Sequence, residues 1–157
     1  MQINFEKFQK VKNQAEDFYK NINSIHCPYF KEKVLFNVKG LDHIKFKRWN
    51  NTRIIKDQYM RLKLIKYVPQ VINKSHTLQG CKQTKELEQV KVNNRWDKLL
   101  KNVDYYEFVA VYDGIRIRVI IKQISGGRKH FWSIVPFWKQ NTRSVERLLY
   151  NGNPAED

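Results

Sequence analysis

Three cations, Arg116, Arg118 and Lys122, stand at spacings of two and four residues, and Ser133 follows eleven residues on. Such a set can hold an anion: guanidinium groups offer paired donors to phosphate or carboxylate oxygens, and a hydroxyl adds one more. An ordinary solvated sheet face is the alternative, but like charges this close repel one another unless an anion lies between them. His43, three residues after Gly40, brings a group that exchanges protons near neutral pH. It is read at the start of a helix that follows a strand, where free N–H groups favour anions. Lys47 lies one helical turn beyond it and shares its face. Arg61, Arg128 and His130 complete the set of candidate contact residues.

Strand alternation decides which of these side chains share a face. Tyr105 to Tyr112, then Asp113-Gly114, then Ile115 to Gln123 reads as a hairpin closed by a two-residue type I′ turn. Tyr112 then opposes Ile115 and Phe108 opposes Val119, so Phe108, Ala110, Tyr112, Ile117, Val119 and Ile121 form an apolar face. Arg116, Arg118, Ile120 and Lys122 lie on the other face with Glu107, Val109 and Val111. A four-residue turn over Ser125 to Arg128 leads to a third strand, His130 to Trp138. Ser133 then pairs with Ile120 and joins the cations, while Trp132 and Ile134 fall on the core side. A slip of one residue would reverse that assignment.

The elements upstream must supply the helices that cover the apolar face. Phe8, Val11, Ala15, Phe18 and Ile22 recur every three or four residues, an amphipathic helix. A linker, Ser24 to Pro28, precedes a short buried strand, Val34 to Val38. Gly40 ends that strand, and Leu41 to Trp49 forms a short helix. A second helix runs from Arg53 to Val68 and stops at Pro69. Its apolar arc is Ile54, Ile55, Tyr59, Leu62 and Ile65, with Arg53, Lys56 and Lys63 pointing away. Arg61 lies at the rim of the arc, either paired with Glu107 or another acid, or reaching over the sheet into the site. The polar stretch Asn73 to Asn102 reads as a loop with one or two short helices, anchored by Leu87, Val90, Trp96, Leu99 and Leu100. The expected fold is α+β, with N-terminal helices packed on one face of a C-terminal antiparallel β-meander. Residues 1–25 form a helical arm, 30–143 the main domain and 144–157 a tail.

Composition narrows the partner. With 157 residues, 41% hydrophobic and 13% aromatic, the chain can bury a core. Its net charge is +15, and two windows account for all of it: Lys39 to Lys74 at +8 and Gly114 to Arg143 at +7. Two basic segments on an otherwise balanced chain suit the two walls of one polyanion site. Cys27 and Cys81 are too few for a disulfide scaffold, which fits a reducing, cytoplasmic setting. No apolar run approaches a membrane span, and the first residues have no signal-peptide core. No cofactor is expected, because no phosphate-binding glycine loop, dinucleotide fingerprint or HExxH motif is present. The spacing of His26-Cys27 and His76 with Cys81 fits no usual zinc site. No carboxylate cluster able to hold magnesium stands in the basic windows, so no metal site is assigned.

Taken in order, Gly40-Leu41-Asp42-His43-Ile44, Arg61-Leu62, the basic hairpin Ile115 to Lys122, and Phe131-Trp132-Ser133-Ile134-Val135-Pro136 resemble the barnase/EndoU/colicin/RelE-like ribonuclease superfamily. The nearest match is its phage- and mobile-element-associated branch, and the likeness spans Val34 to Trp138. The resemblance implies a small metal-independent endoribonuclease, often a toxin, with helices on an antiparallel sheet and an active site on the open sheet face. It implies His43 as proton-transfer residue, with Arg116, Arg118, Lys122 and Ser133 on the phosphate. Lys47, Arg61, Arg128 and His130 would then bind substrate. An RNA substrate, tRNA among the candidates, and an antitoxin or immunity protein are the implied partners. The N-terminal helix and the Asn73 to Asn102 insertion depart from the minimal fold of that superfamily.

The chemistry such a site needs is simple: the 2′-OH of RNA attacks the adjacent phosphorus and leaves a 2′,3′-cyclic phosphate. The protein moves two protons and stabilises charge on the phosphoryl oxygens. Glu107, His130 or a tyrosine is the candidate second proton carrier. The competing reading is a non-catalytic RNA- or DNA-binding module, in which Tyr105, Tyr106, Trp132 and Trp138 stack bases. A basic peripheral membrane protein ranks last, since no helix pairs basic residues with a Trp/Leu face.

Overall fold

The computed structural model describes residues 2–48, 51–136 and 154–157. It is an α+β fold in which helices cover one face of a six-stranded sheet. Helix α1 (Phe5–Lys20) is capped by Asn4, whose side chain accepts from the Lys7 N–H at 2.7 Å. Its seam runs through Phe8, Val11, Ala15 and Tyr19, so Tyr19 takes the inner place expected of Phe18, which is exposed. The Tyr19 hydroxyl donates to the Asn37 carbonyl, a bond Phe18 could not make.

The expected Ser24 to Pro28 linker is instead strand β1 (Ser24–Cys27), paired antiparallel with β2 (Glu32–Leu35). A turn with Lys31 at positive φ joins them. Helix α2 (Val38–Lys45) then begins before Gly40, capped by the Asn37 side chain on the Gly40 N–H at 3.3 Å. Gly40 therefore does not end a strand. It lies in the first turn of α2 against β8 (His130–Pro136), where an added Cβ would sit 2.5 Å from the Phe131 carbonyl oxygen. Two short paired strands follow, β3 (Phe46–Arg48) and β4 (Asn51–Thr52). Trp49, the expected end of this helix, lies outside the described residues, as does Trp138 at the expected end of the last strand.

The expected second helix is divided into α3 (Ile55–Leu64), a 3-10 turn (Ile65–Tyr67) and α4 (Val68–Lys74). Pro69 opens α4 rather than stopping its predecessor, since proline has no N–H to lose in a first turn. The buried arc of α3 is also rotated from expectation. Tyr59, Leu62 and, in the following turn, Ile65 are buried as expected, but Ile54 and Ile55 are exposed and Gln58 and Arg61 face inward instead.

The larger correction concerns residues 73–102, which hold no loop with helices beyond the end of α4. Strand β5 (Gly80–Val92) pairs with the long β6 (Arg95–Tyr112) from Gly80↔Glu107 to Val92↔Arg95. Asn93 and Asn94, at φ 51° and 63°, form the turn. β7 (Ile115–Ile124) meets β6 only from Val103 onward, so eight residue pairs extend beyond the sheet as a ribbon about 25 Å long. Solvent reaches both faces of the ribbon, which erased the one-sided hydrophobic alternation that marks a strand in sequence.

The Asp113-Gly114 hairpin follows expectation, with both residues at positive φ and Tyr112↔Ile115 and Phe108↔Val119 in register. The strand order is β1-β2-β8-β7-β6-β5, all antiparallel except β2 with β8, which touch in parallel at Leu35↔His130. The core joins Phe108, Ile117, Val119, Ile121, Phe131 and Ile134 of the sheet to Ile44, Leu62, Val68 and Ile72 of the helices.

Gly40→Ala is expected to destabilise the fold by about 1–3 kcal/mol, because the new methyl meets backbone at Phe131 and must displace β8 or α2. Urea denaturation of the two chains measures the difference, and equal midpoints would contradict the close approach.

Candidate functional site

A bulge in β8 builds the floor of the site. His130 opposes Lys122 and Phe131 opposes Ile121, but Ser133 opposes Ile120, so Trp132 is the extra residue. Phe131 thereby enters the core and Trp132 turns to the open face, the reverse of the expectation for Trp132. Ser133 does oppose Ile120 and reach the face of Arg118 and Lys122, as expected, but by way of the bulge: His130 opposes Lys122, where a four-residue turn would set it opposite Gln123. Glu107, Ile120 and Ser133 form one row across three strands, with the outer Cα atoms on the order of 10 Å apart.

Helices α2 and α3 reach this face around the edge of β8. Arg61 Nη1 donates to Ser133 Oγ at 2.9 Å and to the Ile134 carbonyl at 3.1 Å. Its Nε donates to Asp57 Oδ1 at 2.8 Å. Arg61 thus does both things expected of it as alternatives, pairing with an acid and reaching over the sheet, though the acid is Asp57. Arg53, read from sequence as pointing away, is 3% exposed. It donates to the His43 carbonyl and to His43 Nε2, each at 3.0 Å, and its Nη1 lies 3.4 Å from Asp57 Oδ2. Arg53, Asp57 and Arg61 recur every four residues, with Asp57 and Arg61 one turn apart on α3 and Arg53 just before its first turn. That spacing was the available signal for this charged triplet.

Residues 154–157, expected to belong to a tail, lie in the groove. The main-chain oxygen of Asp157 accepts from Arg53 Nη2 at 3.2 Å, from Ser133 Oγ at 2.6 Å and from Arg61 Nη1. Arg53 Nη2 also donates to the Glu156 carbonyl at 2.7 Å, and Trp132 Nε1 to the Pro154 carbonyl at 3.0 Å. Three side chains, from α3, from β8 and from the connection before α3, therefore converge on one oxygen atom. Beside them opens a cleft of about 530 Å³ bordered by Lys47, Arg53, Lys56 and Arg61, with Asp57 and Asp157. Of the substrate-contact residues expected from sequence, Lys47 and Arg61 meet here.

His43 is not at a helix start; it lies in the last turn of α2, so the anion-binding argument for its position does not apply. It is buried, stacked on Trp132 at 4.1 Å between ring centroids. Burial first, then the Arg53, Arg61 and Lys122 charges, push its pKa from 6.5 down to about 2. A neutral imidazole whose Nε2 accepts from a guanidinium holds Arg53 in place and is poorly suited to deliver a proton at neutral pH. Arg53 is itself pushed down to about 10, by burial and then by Arg61, and stays charged.

The sheet cations are buried beside carboxylates. Lys122 Nζ donates to Glu88 Oε1 at 2.6 Å, lies 3.8 Å from Glu86 Oε2, and stands 4.1 Å above the Trp132 ring. Both glutamates come from β5, inside the segment read as a loop, so sequence reasoning missed them. Arg118 Nε lies 3.7 Å from Glu107 Oε1. Desolvation raises the Glu107 pKa above the ordinary carboxylate value, the Arg118 charge opposing it. His130 is buried at the first residue of β8, and burial followed by Lys122 lowers it to about 4. Arg116 and Arg128 are exposed, Arg128 in the turn before β8.

Compared with protein-family models, curated proteins and solved structures, the chain gives no match. Among the described residues, no helix is long and apolar enough to cross a membrane.

His43 and His130 are neutral in the fold but titrate near 6.5 when unfolded. Their contribution to stability is complete above that pH and is lost as pH falls, toward about 4 for His130 and about 2 for His43. The melting temperature should therefore drop between pH 7.5 and 4.5, followed by circular dichroism. The double variant His43→Asn, His130→Asn should show a shallower drop, and an equal slope would contradict the two neutral histidines.

Proposed function

We propose that the chain is a metal-independent endoribonuclease whose phosphate cradle is formed by Arg53, Arg61 and Ser133. One observation carries the reading: these three side chains converge on a single oxygen atom, the main-chain oxygen of Asp157. Donors preorganised around one oxygen, partly removed from water, are what a non-bridging phosphoryl oxygen needs as charge gathers on it. Glu107, in the same strand row as Ser133, is the proton acceptor, and its raised pKa suits that task. It takes the proton of the 2′-OH as that oxygen bonds to phosphorus. The bond from phosphorus to the 5′-oxygen breaks, and solvent protonates the departing oxygen. Arg118, beside Glu107, keeps the carboxylate ionised and adds positive charge over the phosphate. Lys122 braces Trp132 and β5, and His43 positions Arg53. The net charge of +15 supports a polyanionic substrate, the order of motifs noted above supports a barnase/EndoU/colicin/RelE-like fold and a toxin role, and the sparse cysteines fit a cytoplasmic setting.

A non-catalytic RNA- or DNA-binding module is the second reading. It is favoured by the neutral, hydrogen-bonded state of His43, which removes the titrating group that had argued for chemistry.

Incubation with single-stranded RNA in EDTA is expected to yield 2′,3′-cyclic phosphate and 5′-hydroxyl ends, while strands carrying 2′-deoxyribose at the cut site bind without reacting. Glu107→Gln should lower kcat about 10²-fold or more with little change in RNA affinity. Arg61→Lys should weaken both, since an ammonium lacks the planar fork. Binding that falls with salt, with a log–log slope of about −0.7 per phosphate contacted, but yields no cleavage would establish the binding module instead.

A further inference from the structure

The hydrogen bonds that four side chains of the groove make to residues 154–157 share one property. Every donor that reaches this segment from Trp132, Arg53, Arg61 and Ser133 ends on a main-chain oxygen, at Pro154, Glu156 or Asp157. Pro154 is buried, and Ala155 packs against the cluster of Val103, Tyr105 and Ile120. The groove therefore reads peptide backbone at three of four residues and provides an apolar floor for the two small side chains. A segment resting only on the surface would neither bury a proline nor draw on two inward-facing arginines.

We propose that the groove is a peptide-binding site whose intramolecular ligand is Pro154–Asp157, and that this segment and the phosphodiester chain of an RNA exclude one another. The exclusion is geometric: Asp157 places its oxygen where Arg53, Arg61 and Ser133 converge, and a phosphoryl oxygen needs the same three donors. The identity of the second ligand rests on the ribonuclease reading; the peptide site does not. Because recognition runs through main-chain oxygens, an extended segment of a partner protein with a small or proline residue at the place of Pro154 fits the same groove. Such a segment would act as an inhibitor by replacing, rather than adding to, the chain's own.

The test uses the full chain, a chain ending at residue 153, a labelled peptide covering residues 153–157 and a labelled single-stranded RNA, with affinities read by fluorescence anisotropy. The shortened chain should bind the peptide and the full chain should not. RNA should bind the shortened chain roughly tenfold more tightly, as expected when an internal competitor no longer occupies most of the molecules, and added peptide should reverse that gain. Pro154→Glu, which places a charge where a buried ring sits, should reproduce the gain at full length and serves if the shortened chain does not fold. Failure of the peptide to bind a folded shortened chain would overturn the proposal. So would RNA affinity unchanged by both truncation and Pro154→Glu, with the nucleic-acid reading left standing. Peptide binding with no RNA binding to any chain would uphold the peptide site, overturn the exclusion and remove the ribonuclease reading.

Discussion

One carboxylate holds the site together. Asp57 places one oxygen on Arg53 and the other on Arg61, and both guanidinium groups are almost entirely removed from water. An unpaired buried cation carries a desolvation penalty of several kcal/mol. A pair of them side by side adds mutual repulsion, and burial first, then the Arg61 charge, lower the pKa of Arg53. Sharing one anion between two cations leaves the triplet with a net positive charge. The remaining donors of each arginine are thereby free of the carboxylate and aimed across the edge of β8 at Ser133, His43 and the segment 154–157. The orientation of the whole helical layer against that edge follows from this demand, since α3 must turn Gln58 and Arg61 inward and leave Ile54 and Ile55 in solvent.

The opposite side of the groove solves the same problem differently. Lys122 and Arg118 project from a sheet, where neighbouring strands supply compensating acids directly: Glu86 and Glu88 from β5, Glu107 from β6. Trp132 ties the two sides together, stacking on His43 of α2 while lying under the ammonium of Lys122. It can do so only because the bulge gives β8 an extra residue on the open face. Without it, alternation would send Trp132 into the core and Phe131 out toward the polar groove.

Local signals carried through into structure; non-local compensation did not show in the sequence. The Asp113-Gly114 turn and strand parity placed Arg118 and Lys122 on one face, because a two-residue turn fixes register by itself, whereas Ser133 joins them only through the bulge at Trp132, which no local signal displays. The helix over residues 5–20 was legible from its period, although the inner aromatic position went to Tyr19 through a hydrogen bond no pattern displays. The β5–β6 ribbon was illegible as strands because neither face is fully buried, and with it were lost the glutamates that pair with Lys122. His43 shifted from helix start to helix end because the Asn37 cap, nine residues after the expected linker, begins α2 earlier than Gly40 suggested. Arg53 was missed because charge was taken as a mark of solvent exposure, and here three charges bury one another.

The position of β8 has a kinetic corollary. It is the last strand among the described residues, yet it sits inside the sheet, between β7 and β2. Its neighbours on one side come from the first quarter of the chain, and its contact with β2 joins Leu35 to His130 across most of the sequence. The β5–β6–β7 meander can assemble from local pairings, but the hairpin β1–β2 gains its place in the sheet only after β8 has docked. Loop closure over such a separation is entropically slow. Folding should thus be limited by a late, long-range step that completes the sheet and, in the same event, brings Trp132 and Ser133 up to the arginines.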